Sequence, residues 1–457
     1  MYSIHAFLLQ KELFRSPEPV KTTVVSSFTD TPALQQIARQ ADSDYILFYT
    51  GTSPIELHPY AIGRMYQIAE SNDGALFYSD YQEIRQGKKI HHPTLEYQTG
   101  SIRNDFDFGQ LLLFRNDSFQ QVVAQMNTDY RFAALYELRL SISRLGKIVH
   151  IPETLYTVQP TDLRLSGEKQ FDYVDPANRE VQLEMEAVCT AHLQAIGAWL
   201  APEFQRIDFG QENFAREASV IIPVRNRKRT IAEAVESALQ QQTDFSFNVI
   251  VVDNHSTDGT GQILTELSRR YPNLIHHIPA STELGIGGCW TEAILLPECG
   301  KFAIQLDSDD LYKDCHVLQR IVDTFYQENC AMVIGSYQMV DFKLEEIPPG
   351  LIAHREWTPD NGRNNALRIN GLGAPRAFYT PVLRQIKFPN VSYGEDYATA
   401  LAISRKYPIA RIYDPLYLCR RWEENSDHDL DIQQLNNKDL RFKGLFRTCI
   451  FLPCATS

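Results

Sequence analysis

The second half of the chain alternates short apolar runs with amphipathic stretches. Ala218 to Arg225 (ASVIIPVR), Phe247 to Asp253 (FNVIVVD) and Lys301 to Leu306 (KFAIQL) are nearly continuous apolar runs, the pattern of parallel strands buried on both faces. Between them, apolar side chains recur three and four apart. Ile231, Val235, Ala238 and Leu239 do so in Thr230 to Gln241, and Ile263, Leu264 and Leu267 in Thr260 to Arg270. That spacing predicts helices, and a further one is predicted over Val317 to Tyr326. Repeated β-α-β with short connections predicts a right-handed, mainly parallel α/β sheet with helices on both faces. In such sheets ligands bind beyond the carboxyl ends of strands. Asp253 ends the second run, and Asp307-Ser308-Asp309-Asp310 follows the third.

The first half repeats part of this plan. Ile142 to Gln159 aligns without gaps to Ile403 to Arg420, with seven of eighteen residues identical. Asp44 to Pro54 lies on Lys301 to Leu311, and Gly74 to Tyr81 resembles Cys330 to Tyr337, in the same order. This implies a structural duplication. Val181 to Ala198 has helical spacing and is followed by Pro202 and a polar segment through Arg216. A linker is therefore expected at about 200–216, between a domain over 1–200 and a second over 217–457.

Composition narrows the class. The chain has 457 residues, 44% hydrophobic and 22% charged, which is globular and long enough for two or three domains. A formal charge of −13 argues against nucleic acid or an anionic membrane surface as the main partner. No run approaches the ~18–20 apolar residues that cross a bilayer. The N-terminus, whose apolar stretch is Ala6 to Leu9, lacks the form of a secretory signal. The eight cysteines form no CxxC pair and none precedes Cys189. They are read as reduced thiols of a cytoplasmic protein rather than a disulfide framework or zinc site.

The candidate chemistry is acidic. Carboxylates two apart at a strand end, such as Asp307 and Asp309, can converge on one Mg²⁺ or Mn²⁺ and leave positions open for phosphate oxygens. The same residues also suit a helix N-cap cluster. Context decides between the two. Ser219-Val-Ile-Ile-Pro-Val-Arg-Asn226, then Val251-Val-Asp-Asn-His-Ser-Thr-Asp-Gly-Thr260, then the Asp307–Asp310 stretch, together resemble the inverting glycosyltransferases of family 2, with the GT-A nucleotide-diphospho-sugar fold. The resemblance covers about residues 217–425.

That resemblance implies roles by position. Pro223, Val224 and Arg225 would edge the nucleotide base, and Asp253 would accept an N–H from it, with UDP as the implied nucleotide. Asp253 could instead simply cap its own turn, as Asp258-Gly259 is expected to do. Asp309 would hold the metal, and Asp307 would contact the ribose or the metal. The metal would stabilise charge growing on the leaving diphosphate. Tyr393-Gly394-Glu395-Asp396-Tyr397 fits the family's Glu-Asp signature at a helix start, with Asp396 as the base that takes the acceptor hydroxyl proton and Glu395 its neighbour. A plain helix cap is the other reading of that pair. Arg421 would clamp phosphate and Trp422 would stack on sugar or acceptor, unless the pair packs on the core edge. His428 is a candidate further metal ligand. The family's Asn-x-Gly…Ala-Arg-Asn-x-Gly stretch is altered here to Leu284-Gly285-Ile-Gly287-Gly288-Cys289-Trp290-Thr291-Glu292. Backbone N–H groups at that helix start are expected to cradle phosphate instead. Ala366 to Phe378 is expected to form an acceptor floor, with Gly371 and Gly373 lining a sugar.

The first half lacks these acids. The alignment sets Thr50, Thr52 and Ser53 opposite Asp307, Asp309 and Asp310, and Ala134 and Leu135 opposite Glu395 and Asp396. It reads as a degenerate, non-catalytic glycosyltransferase-like domain in which Thr22 to Phe28 is the only candidate opening strand. Asp105-Phe-Asp107-Phe-Gly109 is expected to serve loop capping. The expected protein is a metal-dependent transferase in surface polysaccharide assembly, acting on a glycan or lipid-linked saccharide. It would sit in the cytoplasm or at the inner face of the cell membrane, with a peripheral membrane contact and homo-oligomerisation left open. The alternatives are a nucleotide- or glycan-binding protein without turnover and a nucleotidyltransferase. The latter would want a Gly-rich loop that Pro223 to Thr230 does not supply.

Overall fold

The computed structural model describes residues 3–159, 178–210, 213–369, 372–422 and 436. It divides into two compact units, one running to Trp199 and the other beginning at Leu200. In the first unit the strands are β1 (Ile4–Leu8), β2 (Phe14–Arg15), β3 (Lys21–Val24), β4 (Tyr45–Tyr49), β5 (Ile55–Leu57), β6 (Gly74–Arg85), β7 (Lys88–His92), β8 (Leu111–Arg115) and β9 (Lys147–Val158). In the second they are β10 (Ala218–Val224), β11 (Phe247–Asp253), β12 (Leu274–His277), β13 (Phe302–Gln305), β14 (Leu311–Tyr312), β15 (Met332–Val340), β16 (Glu346–Ile352), β17 (Arg376–Tyr379) and β18 (Ile409–Arg420).

The second unit is built outward from β10 and β11. Val220, Ile221, Ile222 and Val249 to Val252 have no exposed surface. Each such side chain contributes about 1.5–3 kcal/mol on leaving water. The sheet order is β12-β11-β10-β13-β17-β15-β18-β14, with β16 hairpinned onto β15. The strands β12, β11, β10 and β13 pair in parallel, as the apolar runs predicted, and β17 then runs antiparallel between β13 and β15. The predicted α/β sheet is thus present in mixed form. The expected helices appear as Ile231–Leu239, Thr260–Arg270 and Val317–Glu328.

The duplication extends to the pairing register. In the first unit the order β3-β1-β4-β8-β6-β9-β5, with β7 on β6, repeats β11-β10-β13-β17-β15-β18-β14, with β16 on β15. Parallel and antiparallel senses agree at every step. Leu76 pairs with Ile148 and Tyr81 with Tyr156, as Met332 pairs with Ile409 and Tyr337 with Tyr417. These are the partners that the ungapped sequence alignments set opposite one another. Both ladders also slip just before the tyrosine pair.

Two sequence expectations change. The opening strand of the first unit is Ile4–Leu8, which takes the place of β10, while Thr22 belongs to β3, in the place of β11. A strand of only five residues, all of them buried, was too short to stand out. Residues 200–210, expected to be linker, are anchored on the second unit. Gln205 N donates to Lys406 O, Ile207 bonds to Asn329 in both directions, and the Phe209 ring packs on Phe302, Tyr326 and Tyr379.

Among the described residues, six cysteines are free and no helix is long and apolar enough to cross a membrane.

Candidate active site

The acidic loop leaves β13 and turns at once, with the Asp310 amide donating to the Asp307 carbonyl. Each acid then faces a different way. The Asp310 carboxylate, 5% exposed, accepts the Arg420 amide proton at 2.8 Å and so ties the loop to β18. The Asp307 amide donates to Tyr417 Oη at 2.8 Å, and both Asp307 carboxylate oxygens accept from Gln305 Nε2 at 3.0 and 3.1 Å. Asp309 Oδ2 accepts from Trp422 Nε1 at 3.1 Å and lies 3.8 Å from Arg227 Nε.

Burial raises the pKa of Asp307, and Asp309 adds to it. Burial, then Asp309 and Asp307, push Asp310 well above the usual carboxylate range. Crowded carboxylates of this kind are relieved by a cation. Asp307 and Asp309 are hard oxygen donors of the type Mg²⁺ and Mn²⁺ take. Among the described residues no group of three His, Cys, Asp or Glu could hold a metal on its own. Phosphate oxygens and water would complete the shell. The donor set therefore fits the expected ion as a shared site. His428 lies outside the described residues.

The second acidic pair begins the helix Glu395–Ser404. Gly394, at φ 80°, makes the turn into it, a conformation that glycine adopts without strain. Asp396 Oδ2 is 2.5 Å from Arg376 Nη2. Arg376 Nη1 also donates to Gln305 Oε1 at 3.1 Å. Glu395 is buried, and Oε2 has no hydrogen-bond partner among the described residues. Burial first, and the Asp396 charge second, push its carboxyl up to about 8. Asp307 and Asp396 thus meet through Gln305 and Arg376, two residues the sequence reading missed. Gln305 was visible as the one polar residue after Lys301 in KFAIQL, and Arg376 as a cation inside APRAFY.

The glycines at 285–288 do not cradle phosphate, contrary to expectation. Gly285 N donates to Asn390 Oδ1, Ile286 N to Ser392 Oγ and Gly287 N to Val391 O, so the first N–H groups of the helix Ile286–Leu295 are already taken. A Cβ at Gly287 would stand 2.0 Å from Pro389 O and 3.0 Å from Glu395 Cβ. These glycines let the loop before the Glu395 helix pack against the helix start. Trp290 is buried against Phe378 and Phe388. Of the expected acceptor floor, the strand begins only at Arg376. Gly373, at φ 94°, packs on His354, and Gly371 lies outside the described residues.

On the other side of the sheet, Pro223 and Val224 end β10 level with Asp253 at the end of β11. Asp253 is 2% exposed. Its Oδ1 accepts from Ser256 N at 2.9 Å and its Oδ2 lies 3.3 Å from His276 Nε2. Burial opposes its charge, but the His276 and Ser256 bonds hold its pKa below the usual value. The turn-capping role is therefore present alongside any contact with a base. Asp258 caps both neighbouring loops, accepting from Lys228 N and from Thr260. Arg225 is exposed just beyond the strand. A pocket of about 420 Å³ opens there, lined by Asn226, Arg227, Lys228, Arg229, Asp258 and Trp422.

Trp422 is a wall of that pocket, with Arg227 and Arg229 over its ring at 5.7 and 5.4 Å and Phe342 edge-on at 5.3 Å. The arginine built into the acidic loop is Arg420. It is 1% exposed, donates from Nε to the Asp309 carbonyl and pairs with Glu233. Arg421 continues the backbone ladder by donating its amide to Val340 O.

In the first unit the corresponding positions carry no such network. Phe48 pairs with Leu112 in the place of Gln305 and Arg376. Thr50 and Leu135 stand where Asp307 and Asp396 do, and Leu135 is the second residue of the helix Ala134–Leu145. Phe48 is buried among Phe7, Phe28, Phe114 and Phe119. Asp107 Oδ1 accepts from Gly109 N and Asp105 pairs with Arg103, the expected loop capping, while Asp107 Oδ2 also lies 2.8 Å from His92 Nε2 and accepts from Tyr81 Oη at 3.3 Å.

Residues 219–386 match the family described as "Glycosyl transferase family 2". The second half of the chain thus carries a glycosyltransferase family 2 domain, and the first half is an additional α/β domain. A poly(ribitol-phosphate) beta-glucosyltransferase of Bacillus spizizenii is 25% identical over 44% of this chain and 32% of its own length. The minor teichoic acid biosynthesis protein GgaA of Bacillus subtilis is 32% identical over 23% of this chain and 24% of its own. The chain spans about a third of the length of the curated relatives it matches first, 37% and 32%. Residues 1–349 of S. aureus TarS, solved with UDP-GlcNAc, are 23% identical over 51% of this chain and 70% of that one, with a TM-score of 0.39.

Proposed function

We propose that the second unit is a metal-dependent inverting glycosyltransferase. It moves a sugar from a nucleoside diphosphate donor, UDP-linked by preference, to a hydroxyl of a glycan, polyol-phosphate or lipid-linked acceptor in cell-surface polymer assembly. The observation that carries this reading is the convergence of Asp307, at a strand end, and Asp396, at a helix start, on one hydrogen-bonded Gln305–Arg376 pair. The first unit keeps the sheet and has none of the four residues, so the frame does not demand them. The family match and the teichoic acid polymers named among the relatives support the class of reaction and of acceptor.

In this reading the donor base lies against Pro223, Val224, Arg225 and Asp253, and its phosphates face the basic pocket walled by Trp422. Asp307 and Asp309 would hold Mg²⁺ or Mn²⁺, which when bound offsets the charge of the leaving diphosphate. Arg227, 3.8 Å from Asp309, adds a fixed positive charge on the same side. Asp396, oriented by Arg376, takes the acceptor proton as the oxygen attacks. Glu395 stays protonated at neutral pH, which keeps a second charge away from the base.

Titration calorimetry of UDP, GDP and dTDP, with and without Mn²⁺, on wild type and Asp309→Ala tests this. Metal-dependent binding of one nucleotide, lost in the variant, is expected. Absence of binding to all three would overturn the proposal in favour of a glycan-binding protein without turnover.

A further inference from the structure

We propose that Arg376 is a positioning residue for the transfer, holding the base Asp396 at a fixed place relative to Asp307 through Gln305. The inference rests on the reading of Asp396 as the base. Its evidence is a continuous chain of short bonds between two elements that are far apart in sequence. Gln305 ends β13 and Arg376 opens β17, its antiparallel neighbour. Arg376 donates twice to Gln305 Oε1, from its backbone N and from Nη1, each at 3.1 Å. This fixes the amide so that Nε2 faces both oxygens of Asp307, at 3.0 and 3.1 Å. The other edge of the guanidinium meets Asp396 at 2.5 Å. Only a planar fork can satisfy an amide on one side and a carboxylate on the other; an ammonium is a single point of charge.

Electrostatics run the same way. Burial works against the charge on Arg376, and Asp396, Asp307 and Glu395 outweigh it. The cation sits between the donor-side Asp307 and the base-side Asp396 and offsets their mutual repulsion. Gln305 is 6% exposed in an otherwise apolar strand. A buried polar residue is kept at such a place only when its bonds are satisfied. The first unit shows the apolar solution for the same frame, Phe48 against Leu112, beside Thr50 and Leu135. In-line attack needs acceptor oxygen, base and anomeric carbon held to a fraction of an ångström. The Gln305–Arg376 bridge sets that spacing from the protein side.

The test uses the full chain with Mn²⁺, measuring UDP released from UDP-glucose and UDP-N-acetylglucosamine with water as the acceptor, and UDP affinity by calorimetry. The variants are Arg376→Met, Arg376→Lys, Gln305→Met, Asp396→Asn and the double variant Arg376→Met with Asp396→Asn. Arg376→Met is expected to lower kcat by about 100-fold, the size of loss that an ångström of misplacement causes. UDP affinity should stay within about threefold, which also certifies the fold, and Lys should not restore the rate. The double variant should be no slower than Asp396→Asn alone. Multiplicative losses in the double variant, or a loss confined to UDP affinity, overturn the proposal. If Arg376→Met fails to fold, Gln305→Met carries the test, with a smaller fall in kcat expected at unchanged UDP affinity and an unchanged kcat overturning it. No UDP release by wild type from either donor overturns the reading of Asp396 as base, and this proposal with it.

Discussion

The indole Nε1–H of Trp422 donates to Asp309 Oδ2 at 3.1 Å, joining the last described residue of the second unit to the second acid of its strand-end loop. This ring is the one tryptophan of four that borders the basic pocket. A cation that engages Asp309 must compete with that bond or share the carboxylate with it. Adding Mn²⁺ together with UDP is therefore expected to change tryptophan emission. Trp422→Phe should remove most of the change, because Trp290 and Trp357 are buried away from the pocket lining. An unaltered response in the variant would place the nucleotide elsewhere.

Arg420 and Arg421 should separate cleanly. Arg420→Met removes a buried donor from the Asp309 carbonyl and a partner from Glu233. Glu233 lies at the surface and can rehydrate, so the loss should be about 1.5–3 kcal/mol, the range for hydrogen bonds to charged groups. Arg421→Met keeps the backbone bond to Val340 and should alter stability much less. Urea unfolding of both variants measures the difference.

Glu395 predicts a pH dependence. Its carboxyl is raised above the ordinary 4.5, to about 8, by burial and by Asp396. The folded state therefore holds a proton that the unfolded chain releases near pH 4.5. Stability on this account is full below that pH, falls as pH rises, and is lost above about 8. Glu395→Gln carries no such proton and should lose less stability than wild type between pH 5 and 8. Urea titrations at the two pH values in EDTA would show it, and parallel losses in both proteins would count against it.

Gly287 tests the packing that sets the base helix. The Cβ of Gly287→Ala would meet Pro389 O at 2.0 Å, so the loop leading into the Glu395 helix must shift. Overpacking of this sort costs about 1–3 kcal/mol. Thermal unfolding should register that loss, and turnover should fall further than the stability change explains. Unchanged turnover would show that the loop position is not critical.

The parts of this architecture legible in the sequence were those written in periodicity. The buried strands Ala218–Val224 and Phe247–Asp253 and the helices between them followed from apolar spacing, and the likeness of β6 to β15 and of β9 to β18 followed from ungapped repeats. The Asp307–Asp310 loop was legible only through its context, a buried strand preceded by the Ser219–Asn226 and Val251–Thr260 stretches, since alone the acids suit a helix cap as well. Gln305 and Arg376 were not, because a single polar residue in a strand carries no signal until its partner across the sheet is known. The glycines at 285–288 were misread for the same reason. Their need for space comes from Pro389 to Val391, about a hundred residues away. Arg420 and Arg421 are adjacent in sequence, and only strand alternation decides which of them turns inward.

Two sheets with the same strand order in one chain also pose a folding problem. While both halves are incomplete, β4 could in principle accept β17, and β13 could accept β8, because the two pairs share one antiparallel register. Tandem domains of like topology misassemble by such exchange. Here the partners differ in what they bring. The first unit fills its centre with Phe48, Phe114 and Leu112, where the second brings Gln305 and Arg376. A swapped strand would set Arg376 against Phe48, or Gln305 against Leu112, with the hydrogen bonds between Gln305 and Arg376 unmet. The difference in what the two centres carry thus also works against the two halves trading strands.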